Sequence, residues 1–190
     1  MKNPLGIAHA CIDIGNSYEN WEKYKTALDY YGKAFEIYSK QGRSKDLPVL
    51  LNNMADVFAR LNLFSKAFDF YYKALEVNEQ QGNKKNITQS FLKIGNLYQI
   101  TGQYDKAKKY FNKSLNLARQ INNPALVKEN YEMLSAYYQN KKNYKKSLEF
   151  HKKAMALKDS LFSVNTMKQV AEIRERYENQ EKEKEIELLK

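Results

Sequence analysis

The sequence predicts an all-α chain of four helical hairpins, each about 40 residues long, followed by a C-terminal capping and linker helix. Apolar and small residues recur at a fixed offset of 40 along most of the chain, and within each period the apolar residues are spaced by three and four. Only 7 Gly and 3 Pro punctuate 190 residues. A sheet-rich protein needs a turn roughly every ten residues, which this supply does not furnish. Hydrophobic residues at 43% and aromatics at 13% exclude a disordered chain, because so much apolar surface offsets the entropy lost on ordering.

The period is read from columns. Ile14-Gly15, Met54-Ala55, Ile94-Gly95 and Leu134-Ser135 align, as do Tyr18, Phe58, Tyr98 and Tyr138. Tyr24, Phe64, Tyr104 and Tyr144 come next, then the small residues Ala27, Ala67, Ala107 and Ser147. Two aromatic columns follow, Tyr30, Phe70, Tyr110, Phe150 and Tyr31, Tyr71, Phe111, His151, and then a second small column, Ala34, Ala74, Ser114, Ala154. A small residue where two helices cross lets the backbones approach, so that large neighbours interdigitate. The first helix of each hairpin carries the Ile14/Tyr18 pair and the second starts at the Tyr24 column. A short polar turn such as Thr101-Gly102-Gln103 lies between them, with glycine suited to a helix C-cap.

Gly42 and Gly82 read as helix stops between hairpins, and Pro48 and Pro124 as first-turn residues of the next helix. The hairpins are expected at about 8–40, 48–80, 88–120 and 128–158, within a domain of residues 1–160. From about Ser160 the repeat fades. Phe162, Met167, Val170, Ile173 and Tyr177 form a last apolar stripe, and charges then alternate from Arg174 to Glu187, with pairs such as Glu178 and Lys182. Residues 161–190 therefore read as a cap and charged linker helix that needs a neighbour and is a candidate for dimerisation. Ile186, Leu188 and Leu189 restart an apolar pattern just before Lys190, as expected if the protein continues.

The succession of small, aromatic, alanine and aromatic columns resembles the tetratricopeptide repeat, over about four-fifths of the chain. The resemblance implies a right-handed α-α superhelix whose first helices line the concave side. The period exceeds the usual ~34 residues, which implies an extended second helix or longer linkers. His151 stands in an aromatic column and is expected to pack as a core residue.

Catalysis would need a nucleophile with its base, a metal cluster or a phosphate-cradling glycine loop. His9 and His151 lie in different hairpins, Cys11 shares a column with Leu51, Phe91 and Tyr131, and each glycine is a single punctuator. A non-enzyme without metal or cofactor is expected. One cysteine excludes an internal disulfide framework. No apolar stretch approaches the ~18 residues of a membrane span, and Met1 to Ser17 has no basic leader followed by an apolar run.

Function is therefore expected on the first helices. Residues facing the groove include His9, Ile12, Asp13, Asn16 and Asn20, then Val49, Asn52, Asn53, Asp56 and Arg60. The third and fourth hairpins add Gln89, Lys93, Asn96 and Gln99, then Glu129, Glu132, Met133 and Gln139. The candidate peptide-binding set is Asn16, Asn52, Asn53, Asp56, Lys93, Asn96 and Glu132. An asparagine offers a donor and an acceptor together and can pair with both groups of a peptide unit. Asn16, Asn53 and Lys93 resemble three groups of the carboxylate clamp that holds chaperone C-termini, but Ile12 and Gln89 stand where further cations would be needed. The Asn-Asn-Met-Ala run at 52–55 is similar to helices of kinesin light chains and of bacterial peptide-pheromone receptors.

The net charge of +10 arises in the middle of the chain, where residues 81–120 carry eight basic side chains against one acidic. Lys106, Lys108, Lys109, Lys113, Lys141, Lys142, Lys145, Lys146, Lys152 and Lys153 fall on second helices and turns and read as a solvated face. The neighbouring aromatics are committed to core columns, so the stacking platform of a single-strand nucleic-acid binder is missing and nucleic acid is a minor alternative. Asp159-Ser160-Leu161 and the charged stretch from Tyr177 resemble the linker of bacterial tetratricopeptide sensor histidine kinases and helix-turn-helix regulators. That resemblance implies a signalling input module, extracytoplasmic if a membrane span follows. An intracellular scaffold or co-chaperone adaptor is the alternative.

Overall fold

Asparagines on the 40-residue period open the helices. Asn3, Asn83 and Asn123 each accept a backbone N–H three residues on, from Gly6 at 3.2 Å, Asn86 at 3.1 Å and Leu126 at 3.1 Å. In the computed structural model, which describes residues 3–41 and 45–188, the helices are α1 (Pro4–Asn20), α2 (Tyr24–Gln41), α3 (Leu47–Arg60), α4 (Phe64–Gln80), α5 (Lys84–Ile100), α6 (Tyr104–Gln120), α7 (Pro124–Asn140) and α8 (Tyr144–Leu188). These pair in chain order as four hairpins, and each second helix starts at the column expected for it. The stop at Gly42 and Leu189 lie outside the described residues, as do the side chains of Val170, Ile173, Tyr177, Glu178, Lys182, Ile186 and Leu188.

Two helices of 17 residues and two turns of three residues make the period, as α5, α6 and the turns beside them show. Each turn within a hairpin has one residue in the left-handed region: Glu22, Asn62, Gly102 and Lys142, with φ of 58, 59, 75 and 55°. The next N–H reaches back five residues, Lys23 to the Tyr18 carbonyl at 2.9 Å and Gln103 to the Tyr98 carbonyl at 2.8 Å. Gly82 and Asn122 repeat the device between hairpins, with φ of 65 and 49°. This is the Schellman closure, in which only glycine adopts the left-handed conformation without steric cost.

The chain divides into two compact bodies, Met1–Leu126 and Val127–Lys190. In the first, the small columns behave as the crossing argument requires. A Cβ on Gly15 would lie 2.6 Å from Tyr31 Cδ1, and one on Gly95 would lie 2.8 Å from Phe111 Cδ1. Tyr31 and Phe111 are fully buried beneath those glycines. Successive hairpins join through the same faces: Ala27, Tyr31, Ala34 and Tyr38 of α2 share a core with Leu50, Met54 and Val57 of α3. Ala67, Tyr71 and Leu75 of α4 pack with Ile94 and Leu97 of α5. Burial of each large side chain contributes roughly 1.5–3 kcal/mol.

In the second body, Phe150 stacks on Tyr138 with centroids 5.5 Å apart, and the Ser135 hydroxyl donates to the Ser147 carbonyl at 2.9 Å. Two expectations are corrected here. His151 is exposed, not a core residue. Tyr31 and Tyr71 of the same column are covered by the first helix of the following hairpin, whereas among the described residues no hairpin follows α8, and a polar imidazole keeps its hydration there. The C-terminal segment is not a separate helix either, because α8 runs 45 residues without a break near residue 160. Nothing in residues 158–163 breaks it, since the run contains neither glycine nor proline. Among the described residues, no helix is long and apolar enough to cross a membrane.

Candidate functional site

The first helices of the first three hairpins place their polar columns on one side of the first body, joined by a ladder of hydrogen bonds. Tyr31, rising from α2 beneath Gly15, shares its hydroxyl proton between Asn16 Oδ1 at 2.7 Å and Glu19 Oε2 at 2.8 Å. Asn53 of α3 donates to the same Asn16 oxygen at 3.0 Å. One hairpin on, the Tyr71 hydroxyl donates to Asp56 Oδ1, and the Lys93 ammonium of α5 sits 2.9 Å and 2.6 Å from the two Asp56 oxygens. The two rungs obey one rule: a residue in the Asn16 column accepts from the tyrosine of its own hairpin and from the residue 37 positions further on.

Burial, and then the hydrogen bond to Glu19, pushes the Tyr31 phenol above the usual tyrosine range. Burial, and then the charge of Asp56, does the same for Tyr71. Both phenols thus remain neutral donors that hold the carboxylates in place.

The third hairpin breaks the rule. Phe111 replaces the tyrosine, so no hydroxyl rises beneath Asn96. Asn96 is exposed, and among the described residues its amide has no hydrogen-bond partner. It lines a cleft of about 480 Å³ together with Glu19, Asp56, Arg60, Tyr71, Lys93 and Ile100. Arg60 approaches Glu19 only to 3.8 Å and is largely exposed, while Ile100 is 57% exposed. The cleft therefore presents a free amide, a loosely held guanidinium and an apolar wall to whatever enters it.

Of the sequence-predicted set, Asp56, Lys93 and Asn96 line this cleft, and Asn16 and Asn53 form the rung beside it. Asn52 has its Oδ1 buried, with no hydrogen-bond partner among the described residues. Glu132 lies in the second body, paired with Lys128 at 3.0 Å. His9 pairs with Asp46 at 3.1 Å, and Ile12 packs into the core. The carboxylate-clamp likeness is not realised as a cationic site, since Asp56 matches the charge of Lys93 and Asn53 is bonded to Asn16.

Sequence reasoning missed Glu19 and the hydroxyls of Tyr31 and Tyr71. The signal was the contrast within one column, with tyrosine beneath Asn16 and Asp56 and phenylalanine beneath Asn96. Among the described residues, no group of three His, Cys, Asp or Glu could hold a metal ion.

The lysines expected on a solvated face are exposed, and some lysines of the second helices also cover aromatic rings. Lys33, Lys73, Lys113 and Lys153 recur on the period, each with its ammonium over the ring three positions earlier, Tyr30, Phe70, Tyr110 and Phe150, at 4.5 to 5.2 Å. Lys66, Lys106 and Lys146 cover Phe58, Tyr98 and Tyr138 in the same way.

The tetratricopeptide repeat model matches residues 8–80 and 86–160. No curated protein matches the chain. Among solved structures, BtubC (BKLC) from P. vanneervenii superposes with a TM-score of 0.73 at 20% identity, over 85% of this chain and 66% of that one. Aspartyl phosphate phosphatase F from Bacillus subtilis gives 0.74 at 21%, over 86% of this chain and 43% of its own. The Rap conjugation gene regulator of the plasmid pLS20, solved in complex with the Phr* peptide, gives 0.70 at 16%, over 77% and 41%. The likeness is one of fold, and the chain spans two-thirds or less of each of these proteins.

Proposed function

The chain belongs to the tetratricopeptide repeat family, and we propose that it is a non-catalytic module that holds an extended peptide or protein segment in the cleft of residues 1–126. The unpaired, exposed amide of Asn96 carries this reading. The other polar side chains of the Asn16 column are engaged by their own tyrosines, whereas Asn96 keeps a donor and an acceptor for a peptide unit. Each such bond contributes about 1 kcal/mol, and a micromolar complex needs roughly 8 kcal/mol, so Asn96 and the exposed side chain of Ile100 mark where the ligand sits and further contacts along the first helices must add to them. A neighbour of the same fold solved with a bound peptide supports the ligand class.

The test is an array of synthetic extended peptides probed with the wild type, Asn96→Ala and Ile100→Asp, with folding followed by circular dichroism. Peptides captured by the wild type bind Asn96→Ala at least about fivefold more weakly and lose Ile100→Asp. Equal capture by all three proteins overturns the reading.

We infer a place in a signalling protein from the linker resemblance of residues 161–190, supported by the unbroken course of α8. At about 1.5 Å per residue, residues 161–188 prolong the second helix of the fourth hairpin by about 42 Å. A change in repeat packing would tilt that extension and bias an output domain. Sequencing the gene beyond Lys190 tests this, since neither a membrane span nor a kinase or helix-turn-helix domain would be encoded if it is wrong.

A further inference from the structure

We infer that copies of this chain associate head to tail, the start of α8 of one copy packing on the outer face of α1 of the next. The face of a first helix that meets the preceding hairpin is buried at both internal junctions of the first body. Leu50, Met54 and Val57 cover it on α3, and Ser90, Ile94 and Leu97 on α5. On α1 the same columns read Ala10, Ile14 and Ser17, flanked by Ile7 and Trp21, and all five are exposed. Ile14 is 40% exposed and Trp21 65%, against 0% for Ile94.

The complementary face shows the matching deficit. Tyr31 and Tyr38 of α2, and Tyr71 and Asn78 of α4, are buried, but His151 and Lys158 of α8 are exposed. Leu148 of that face is 54% exposed and Tyr144 66%. The chain thus displays one uncovered half of its own hairpin junction on α1 and the other half on α8.

Charge supports the pairing. Pro4–Asn20 has no lysine or arginine, and its exposed acid is Asp13, Glu19 being engaged by Tyr31 on the cleft side, while the first half of α8 carries Lys145, Lys146, Lys152, Lys153 and Lys158 against Asp159 and a Glu149 already paired with Lys153. Opposite signs already meet at the α4–α5 junction, where α4 has three acidic side chains against two lysines and α5 has three lysines and no acid. Because the two faces differ, the contact is heterologous: each added copy leaves an α8 face open for another.

The experiment is sedimentation equilibrium of the 190-residue chain up to roughly 0.5 mM, with Ile14→Glu, Leu148→Glu and their equimolar mixture. Both positions are solvent-facing, and circular dichroism checks the fold. Trp21→Glu and His151→Glu form a second pair should either variant unfold. The wild-type mass rises with concentration, each variant alone is monomeric, and the mixture forms a dimer and nothing larger, because each variant supplies the face the other lacks. A wild type that stays monomeric overturns the proposal. So does a dimer that survives Ile14→Glu, which would mark symmetric pairing through α8, or a mixture that stays monomeric.

Discussion

Replacing Gly15 by alanine separates two effects of opposite sign. In a helix interior, glycine to alanine gains about 0.8–1.0 kcal/mol from backbone entropy. Gly32, midway along α2 with no heavy atom within 4 Å of an added Cβ, shows that gain alone. At Gly15 the new methyl falls 2.6 Å from Tyr31 Cδ1, and the ring cannot retreat because Asn16 and Glu19 hold its hydroxyl. Overpacking of this kind costs about 1–3 kcal/mol, so Gly15→Ala is less stable than Gly32→Ala by that amount. Tyr31→Phe releases the hydroxyl and lets the ring shift, and the double mutant recovers about 0.5 kcal/mol or more relative to additivity. Urea unfolding followed by far-UV circular dichroism measures all four proteins. A Gly15→Ala variant stabilised as much as Gly32→Ala would refute the close crossing of α1 over Tyr31.

Glu22 and Lys142 occupy the left-handed turn position that Gly102 fills in the third hairpin, so Glu22→Gly and Lys142→Gly each raise stability by roughly 0.5–1 kcal/mol, read as a higher urea midpoint. Phe111→Tyr restores the missing hydroxyl beneath Asn96. It stabilises the fold by about 1 kcal/mol and weakens capture of any peptide that depends on Asn96, a combination checked by unfolding and the peptide array together. Tyr31 and Tyr71 are held above the ordinary tyrosine value by burial, Glu19 and Asp56. The neutral phenol is therefore favoured in the folded state: stability from these groups is intact below about pH 10 and falls above it, as the unfolded chain ionises first. The decline reaches at most about 1.4 kcal/mol per pH unit for each phenol, and the Tyr31→Phe Tyr71→Phe double variant shows a shallower fall between about pH 10 and 11.

The hairpins were legible because an aromatic ridge repeated at a fixed offset has few ways to be buried, and the second-helix starts at Tyr24, Phe64, Tyr104 and Tyr144 follow from it. The site was legible only in part. Asp56, Lys93 and Asn96 emerged from helix geometry, but which polar groups the fold itself consumes depends on contacts 15 and 37 residues apart. The aromatic column marks Tyr31 and Tyr71 as core rings, which they are, yet each carries a hydroxyl to the far side of the crossing. His151 was misread because a column predicts burial only where a further helix arrives to cover it.

The turns have a mechanical consequence. Within residues 47–120, the helices meet through three residues locked by a backbone bond that reaches back five positions, leaving little slack to act as a hinge. Deformation of these four helices must then come from small sliding of one helix against the next, divided among several crossings. A ligand pressing on the Asp56 rung would be felt as a graded flexure shared by α3 to α6, in the manner of a leaf spring.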